Sequence, residues 1–196
     1  MKTTTAPEVT PKMTVLKALY KDEYSAIKKY YDVAGPDYET WSKNFNMHFG
    51  YCKKFTDIFS LEKMLVNMSD EVLKQLQIDT TQKTYIADLG CGVGTVARHT
   101  AKKFPFAKIT GITIVDSQIK KGKSLIKRDG LENNVSLIKD NFENLHFNNE
   151  VFTHAYALES ACHAGGSDKE HFIKEMARVL KSGGRFCIAD GFLKHN

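Results

Sequence analysis

The chain has 196 residues, a net charge of +5, 42% hydrophobic and 26% charged residues, which suits one soluble α/β domain with its own core. The lysines are spread along the chain, without an arginine cluster or interleaved basic and aromatic residues, so we expect no nucleic-acid partner. No apolar run reaches the length that a bilayer-spanning helix needs.

Residues 1–12 are rich in Thr, Pro and Lys and lack the apolar core of a signal peptide, so we expect a disordered tail there. The four cysteines are far apart and lack the paired spacing of zinc ligands: Cys52, Cys91, Cys162 and Cys187. We therefore expect free thiols, no metal site and a cytoplasmic protein.

Residues 13–82 are predicted to form a helical and aromatic segment ahead of the main domain. Residues 13–31 mix apolar and charged residues in a helical pattern, and Gly35-Pro36 ends it. Residues 37–51 are dense in aromatic rings without a clear period, which is typical of a lid over a pocket or of rings packed on a sheet. Residues 60–78 predict an amphipathic helix.

The most informative stretch is 85–95. An apolar run from Tyr85 to Ala87 predicts a buried strand, Asp88 follows it, and residues 96–104 have helical character. Three glycines at alternate positions separate strand from helix: Gly90, Gly92 and Gly94. A strand, a tight glycine turn and a helix N-terminus form a nucleotide-sized cradle at the carboxyl end of a parallel sheet. A tight turn without a ligand is the alternative.

The spacing G-x-G-x-G differs from the dinucleotide fingerprint G-x-G-x-x-G, and Asp88 could receive an ammonium group. The stretch resembles the first motif of class I S-adenosylmethionine-dependent methyltransferases, whose glycines approach the methionine part of the cofactor while the acid helps to position it. The resemblance implies an α/β fold over residues 83–196, with a Rossmann-like, doubly wound, mainly parallel sheet and helices on both faces. It also implies S-adenosylmethionine as the cofactor.

Residues 107–112 predict the second strand, after which such folds usually place an acid for the ribose. This chain has Thr113 there instead, preceded by Gly111-Ile112 and followed five residues on by Gln118. This pattern resembles that of a carbon-methylating subgroup of the family, which includes sterol C-methyltransferases, tocopherol methyltransferases and cyclopropane fatty-acid synthases. By resemblance Thr113, Ile114 and Gln118 would contact the adenosine. Asp116 is the rival for the ribose, and a helix N-cap at Ser117 without ligand contact is the alternative.

The third strand is predicted over 135–139. Family members place an acid after it for the adenine amine, and either Asp140 or Asn141 falls at that place, because an Asn carbonyl also accepts from an amine. Phe142 would cover the adenine face or belong to the core.

The fourth strand is predicted over 151–158, and the run from Tyr156 to Ala164 resembles the corresponding stretch of sterol C-methyltransferases. Glu159 and His163 would then lie at the mouth of the cofactor crevice as the catalytic residues; a helix-capping Glu159 and a surface His163 are the alternative. By the same resemblance, Tyr31 and residues 47–50 fold over the cofactor, with Phe49 and Gly50 near its methionine end.

A helix is predicted over 169–180, ended by Ser182-Gly183-Gly184, and a fifth strand is predicted over 185–189. The resemblance covers about residues 24–192, and the family fold continues with a helix and an antiparallel hairpin. We therefore expect either a chain truncated after the fifth strand or a partner subunit, as in a homodimer, that covers the strand's edge.

The combination of aromatic rings with a carboxylate suits a carbocation, which forms when an alkene carbon is methylated. The sequence thus predicts C-methylation of an isoprenoid, sterol-like or other lipophilic alkene, within lipid or isoprenoid metabolism and with peripheral membrane contact. The alternatives are a small-molecule O- or N-methyltransferase and a non-catalytic S-adenosylmethionine-binding protein.

Overall fold

The structure, a computed structural model, describes residues 24–35 and 37–192. The tail expected at 1–12 and the first part of the helix expected at 13–31 lie outside these residues. In the part of the chain that the structure describes, no helix is long and apolar enough to cross a bilayer.

Five parallel strands form one sheet in the order β3-β2-β1-β4-β5. Their bounds are β1 Tyr85–Leu89, β2 Lys108–Thr113, β3 Val135–Lys139, β4 Phe152–Leu158 and β5 Leu180–Ala189. This is the doubly wound order, and it confirms the predicted Rossmann-like fold. The strand order reverses between β1 and β4, so a crevice opens outside the carboxyl ends of these two strands.

The helices are α1 (residues 24–34), α2 Asp37–Trp41, α3 Leu61–Leu76, α4 Thr95–Lys103, α5 Asp116–Arg128 and α6 Glu170–Val179. Two short 3-10 helices span Phe55–Phe59 and Ala161–His163. Helices α3, α4 and α5 pack on one face of the sheet and α6 packs on the other.

The central strand β1 is buried on both faces, which is why its sequence reads as a continuous apolar run. Ile86 packs into the core beneath α3 and α4, whereas Ala87 and Leu89 point into the core beneath α6. The alternation follows from the two-residue period of a strand, so Asp88 shares the α3–α4 side with Ile86.

The fifth strand begins five residues before its predicted start. Leu180 already pairs with Phe152, and the register becomes regular only where Arg185 pairs with His154. Gly183, with φ of 76°, lies in this irregular part. The glycine pair that was read as a helix stop therefore forms a bend within the strand, because glycine adopts positive φ without strain.

A buried arginine ties the segment after α2 to the sheet. Arg98 on α4 is 3% exposed; its Nη1 lies 2.8 Å from Asp129 Oδ2, and its Nη2 donates to the Asn44 carbonyl at 3.1 Å. Burial alone would raise the pKa of Asp129, but hydrogen bonds from Lys102 and two arginines hold it well below its usual range. The Thr95 hydroxyl reaches the same Asn44 carbonyl at 2.8 Å.

Replacing Arg98 by Met should lower the free energy of unfolding by about 3 kcal/mol, because a buried carboxylate loses its buried partner. Urea denaturation measures this loss. Lys102→Met is the matched control: Lys102 contacts the same carboxylate at 2.7 Å but is 56% exposed, so its loss should cost less than about 1 kcal/mol. Equal losses in the two variants would contradict the anchoring role of Arg98.

Candidate active site

An open cavity lies at the carboxyl ends of β1 and β4, where open α/β sheets place their ligand sites. Twelve of the residues predicted from the sequence line it: Tyr31, Asp88, Gly90, Gly92, Thr113, Ile114, Gln118, Asp140, Asn141, Phe142, Glu159 and His163.

Three predicted cofactor-binding residues do not line the cavity. The Phe49 side chain is 72% exposed and points to solvent. Gly50 packs on α3, where a Cβ would come within 2.5 Å of the Met64 Cβ. Gly94 is the N-cap of α4 and packs against Leu137 with a φ of 74°. Close packing against Met64 and Leu137 accounts for the two glycines.

The first glycine of the turn joins β1 to β4. Gly90 has a φ of 73°, and a Cβ there would lie 2.3 Å from the Ser160 Cβ. The Ser160 hydroxyl donates to the Leu89 carbonyl at 2.5 Å, which fixes this close approach. The N–H groups of Gly90 and Cys91 both donate to the Ile112 carbonyl, so the turn is also held by β2.

Gly90→Ala should abolish cofactor binding or destabilise the fold by several kcal/mol, because the new methyl group overlaps Ser160 in a backbone region that L-residues avoid. Gly130→Ala is the matched control, since Gly130 has a φ of 67° but nothing within 4 Å of an added Cβ. Thermal melting and cofactor calorimetry of both variants separate the clash from the backbone strain. Equal effects would show that the approach to Ser160 is unimportant.

A buried carboxyl faces the cavity beside the turn. Asp88 is 3% exposed, and its Oδ2 makes no hydrogen bond of normal geometry with the described residues. Burial raises the pKa of Asp88 to about 7, while the nearby Tyr156 hydroxyl and an amide of α4 oppose the rise. An unpaired acid in this position is suited to a cationic group of a ligand.

At the end of β2, two buried side chains pair with each other. The Thr113 hydroxyl donates to Gln118 Oε1 at 2.6 Å, so the Gln118 amide nitrogen remains as a donor toward the cavity. Asp116, the rival for the ribose, is 73% exposed and pairs with Lys139 at 2.5 Å outside the cavity. The N-cap of α5 is Val115 rather than Ser117, whose hydroxyl donates to Asp32 at 2.5 Å.

The loop after β3 uses much of its polar capacity internally. Asp140 accepts hydrogen bonds from the Asn141 amide and from the backbone and ring of His146. Asn141 donates to the Tyr24 hydroxyl at 2.9 Å and accepts from the Glu143 amide at 3.0 Å. Asp140 Oδ2 accepts only one of these bonds, so Asp140 keeps acceptor capacity for an adenine amine.

Phe142 belongs both to the cavity wall and to the core. Its ring packs edge-on against Phe172 at 5.0 Å between centroids.

Glu159 follows β4 with its side chain in the cavity and a backbone φ of 50°. Its Oε1 accepts the Phe49 N–H at 2.7 Å, and its own N–H donates to Ala189 at 2.7 Å, so the side chain does not cap the following 3-10 helix. Burial raises the pKa of Glu159; the Phe49 hydrogen bond lowers it, and neighbouring Asp190 raises it further.

His163 contacts a tyrosine that reaches over the cavity from α1. Its Nε2 lies 2.9 Å from the Tyr31 hydroxyl, and the rings meet edge-on at 5.7 Å. Burial lowers the pKa of His163 and raises that of Tyr31, so both groups are neutral near pH 7. A neutral imidazole in this position can exchange a proton with the tyrosine or with a ligand.

The sequence profile of a family described as a methyltransferase domain matches residues 86–184, half of the chain. This chain belongs to the class I S-adenosylmethionine-dependent methyltransferases. The match covers the glycine turn, the β2 and β3 ends and the segment that carries Glu159 and His163.

The chain is 34% identical over 182 residues to a cycloartenol-C-24-methyltransferase of Arabidopsis thaliana, and the alignment covers 90% of this chain and 50% of that protein. It is 31% identical over 177 residues to a sterol 24-C-methyltransferase of Eremothecium gossypii, covering 89% and 44%. These matches confirm the resemblance to the sterol C-methyltransferase subgroup. The chain spans about half the length of the curated relatives it matches.

Among solved structures, the [4+2]-cyclase SpnF superimposes with a TM-score of 0.67 at 24% identity, covering 79% of this chain and 55% of the cyclase. At this identity the likeness shows the fold alone.

The cavity of this methyltransferase fits S-adenosylmethionine, the cofactor of its family. The orphaned Asp88 carboxyl can receive the ammonium of the methionine part, and Gln118 and Asp140 offer a donor and an acceptor for the adenosine. Gly90 and Gly92 also line the cavity, and because they lack a Cβ a ligand can approach their backbone closely.

Of the stretch 47–50 that the resemblance places over the cofactor, Met47 and His48 line the cavity, whereas the two residues singled out from it, Phe49 and Gly50, do not. His48 is 7% exposed and lines the cavity with Met47, one to three residues before the predicted Phe49 and Gly50. Its Nδ1 donates to the Phe49 carbonyl at 2.9 Å, and burial lowers its pKa. A histidine among aromatic residues was the available signal, but the irregular segment gave no period from which to tell inward from outward positions.

Proposed function

We propose that this protein transfers a methyl group from S-adenosylmethionine to an alkene carbon of a sterol-like, isoprenoid or other lipophilic acceptor. The observation that carries the proposal is the Glu159 carboxyl, half-buried in the cavity and held by the Phe49 amide at 2.7 Å. The similarity of the chain to relatives that are named for sterol methylation at carbon supports the same acceptor class.

The bound cofactor supplies a methyl group activated on a sulfonium. The chain's own residues then have two tasks, which are to hold the acceptor in line and dry, and to stabilise the positive charge that methylation leaves on the acceptor. Tyr31 and Phe45 contribute aromatic rings to the cavity wall, the Phe45 ring already having Lys121 Nζ 4.5 Å from its centroid, and ionised Glu159 offers a negative charge to a cation.

The acceptor must then lose a proton. The raised pKa of Glu159 makes its carboxylate a stronger base than an ordinary glutamate, and neutral His163, bonded to Tyr31, is the second group able to take a proton. The same pair could serve an O- or N-methyltransferase, for which a base beside the acceptor suffices.

The test supplies the purified protein and methyl-labelled cofactor with sterols, prenyl diphosphates and polar amines in parallel. We expect label on a carbon of a lipophilic alkene. Label on a hydroxyl or amine would replace the proposal by the O- or N-methyltransferase. Cofactor binding by calorimetry without label on any acceptor would favour the non-catalytic alternative. A cytoplasmic location and the lack of a nucleic-acid partner stay predictions.

A further inference from the structure

The 3-10 helix Phe55–Phe59 presents an apolar face to solvent. Phe55, Ile58 and Phe59 are 79%, 47% and 81% exposed. With three residues per turn, positions 55 and 58 fall on the same side, and the rings of Phe55 and Phe59 meet edge-on at 6.5 Å between centroids. We call this helix and the preceding Lys53 and Lys54 the aromatic turn.

The aromatic turn is firmly mounted on α3. Asp57 points inward and accepts hydrogen bonds from the amides of Lys53 and Lys54 and from Asn67 Nδ2 on α3. Asn67 also donates to the Tyr51 carbonyl at 3.1 Å. The apolar face is therefore held outward by a defined hydrogen-bond network rather than by a loose loop.

The aromatic turn lies close to the cavity mouth along the chain. Phe49 has a 72% exposed side chain, and its N–H is bonded to Glu159 inside the cavity. Phe55 follows Phe49 by six positions, so the two Cα atoms are within about 22 Å of each other even if the chain is extended. Tyr51, between them, is 43% exposed.

The exposed charges around this turn are mostly positive. Exposed lysines precede and follow it along the chain: Lys43, Lys53, Lys54 and Lys63. Of the nearby acidic residues, Asp57 is bonded as described and Glu62 accepts from the Lys43 amide at 2.6 Å and from Asn44 at 3.2 Å. Glu71 on α3 is shared between Lys53 and Lys74, with an oxygen 3.8 Å from each ammonium. Exposed rings bordered by lysines match the interface of a bilayer with anionic headgroups.

We propose that the aromatic turn docks this protein on an anionic lipid bilayer, with Phe55, Ile58 and Phe59 inserted at the headgroup boundary and the lysines against the phosphates. Isolated apolar side chains on a surface are ordinary, whereas a contiguous exposed apolar cluster rimmed by polar and charged residues marks an interaction site. The contact is peripheral, and the proposal holds irrespective of which acceptor the site takes.

Vesicle co-flotation of the full chain tests the proposal, with phosphatidylcholine alone and with phosphatidylcholine mixed with phosphatidylserine. We expect binding to the mixed vesicles, weakened by salt. Phe55→Ser with Phe59→Ser should weaken it by about tenfold or more, because two buried rings are lost from the interface. Phe106→Ser, at the amino end of β2 and 38% exposed, is the matched apolar control and should bind normally.

The charge arm uses Lys53→Glu with Lys54→Glu against Lys120→Glu with Lys123→Glu on α5, which change the net charge equally. Only the first pair should abolish the preference for anionic lipid. Absent flotation of the parent, or equal flotation in both variants of either arm, would overturn the proposal. A lipid-free dimer that dissociates in Phe55→Ser with Phe59→Ser would also overturn it, since the face would then join two copies.

Discussion

Replacing Glu159 by Gln is expected to leave cofactor affinity nearly unchanged and to reduce turnover by about a thousandfold. Glutamine keeps the size of the side chain, and its carbonyl can still accept the Phe49 amide. What it loses is the negative charge that stabilises a cationic acceptor and the base that takes its proton. Single-turnover transfer of labelled methyl, with cofactor calorimetry beside it, measures both quantities.

The pH dependence sharpens this test. Because burial raises the pKa of Glu159, the acid limb of the rate profile should lie above the range of an ordinary glutamate, and activity should rise as the carboxyl ionises. This limb should vanish in Glu159→Gln. Asp116→Asn removes an exposed carboxylate outside the cavity and should leave rate and profile unchanged. Full turnover in Glu159→Gln would refute the catalytic role.

Asp88→Asn should have the second large effect, a loss of cofactor affinity of about a hundredfold, because a buried charge pair with the ammonium of the methionine part is lost. In the parent, bringing that cation beside Asp88 lowers its pKa from about 7, so affinity should rise with pH up to about 7 and binding should release a proton. Calorimetry in buffers of different ionisation enthalpy detects the proton.

The same substitution should stabilise the cofactor-free protein at high pH. The pKa of Asp88 is about 7 in the folded state and 3.8 for the unperturbed group. Between these values the folded state binds one more proton than the unfolded state, so the free energy of unfolding falls as pH rises through this window. The difference corresponds to about 4 kcal/mol, and the loss persists above pH 7.

Asp88→Asn lacks this penalty, so urea denaturation should find it more stable than the parent at about pH 8. At about pH 4 the difference in free energy of unfolding between the two proteins should be much smaller. Asp116→Asn again serves as the control, without this pH dependence. Weaker binding together with higher stability is a combination that simple misfolding cannot produce. An Asp88→Asn protein that binds the cofactor normally would contradict the assigned role.

The parts of the fold with a clear period were predictable. The strand β1, which is buried on both faces, continues only two residues past its apolar run. The edge strand β3 also has its predicted bounds, because buried Val135 and Leu137 alternate with exposed Ser136. The strand β5 was predicted short because Gly183 suggests the end of a helix. Only its pairing with β4 shows that the glycine bends a strand.

The candidate site was predictable where its residues directly follow strands, since parallel strands deliver their carboxyl ends to one crevice. The aromatic segment was not, because no local rule tells which ring of an irregular chain turns inward. The contact that fixes it, from the Phe49 amide to Glu159, joins residues 110 positions apart. The conformation of the aromatic segment, with the His48 side chain in the cavity and the Phe49 side chain in solvent, depends on that distant partner.

The two coverings over the cavity are fastened differently. Residues 42–50 are held at one end by buried Arg98 and at the other by Glu159. The described part of α1 is held by side-chain hydrogen bonds of Tyr24, Tyr31 and Asp32, which water can replace. We therefore expect α1 to move about Gly35 when the demethylated cofactor is released, while residues 42–50 stay in place. Amide hydrogen exchange should accordingly be fast along 24–34 and slow along 42–50. The rate at which α1 opens would limit repeated turnover whenever methyl transfer itself is faster.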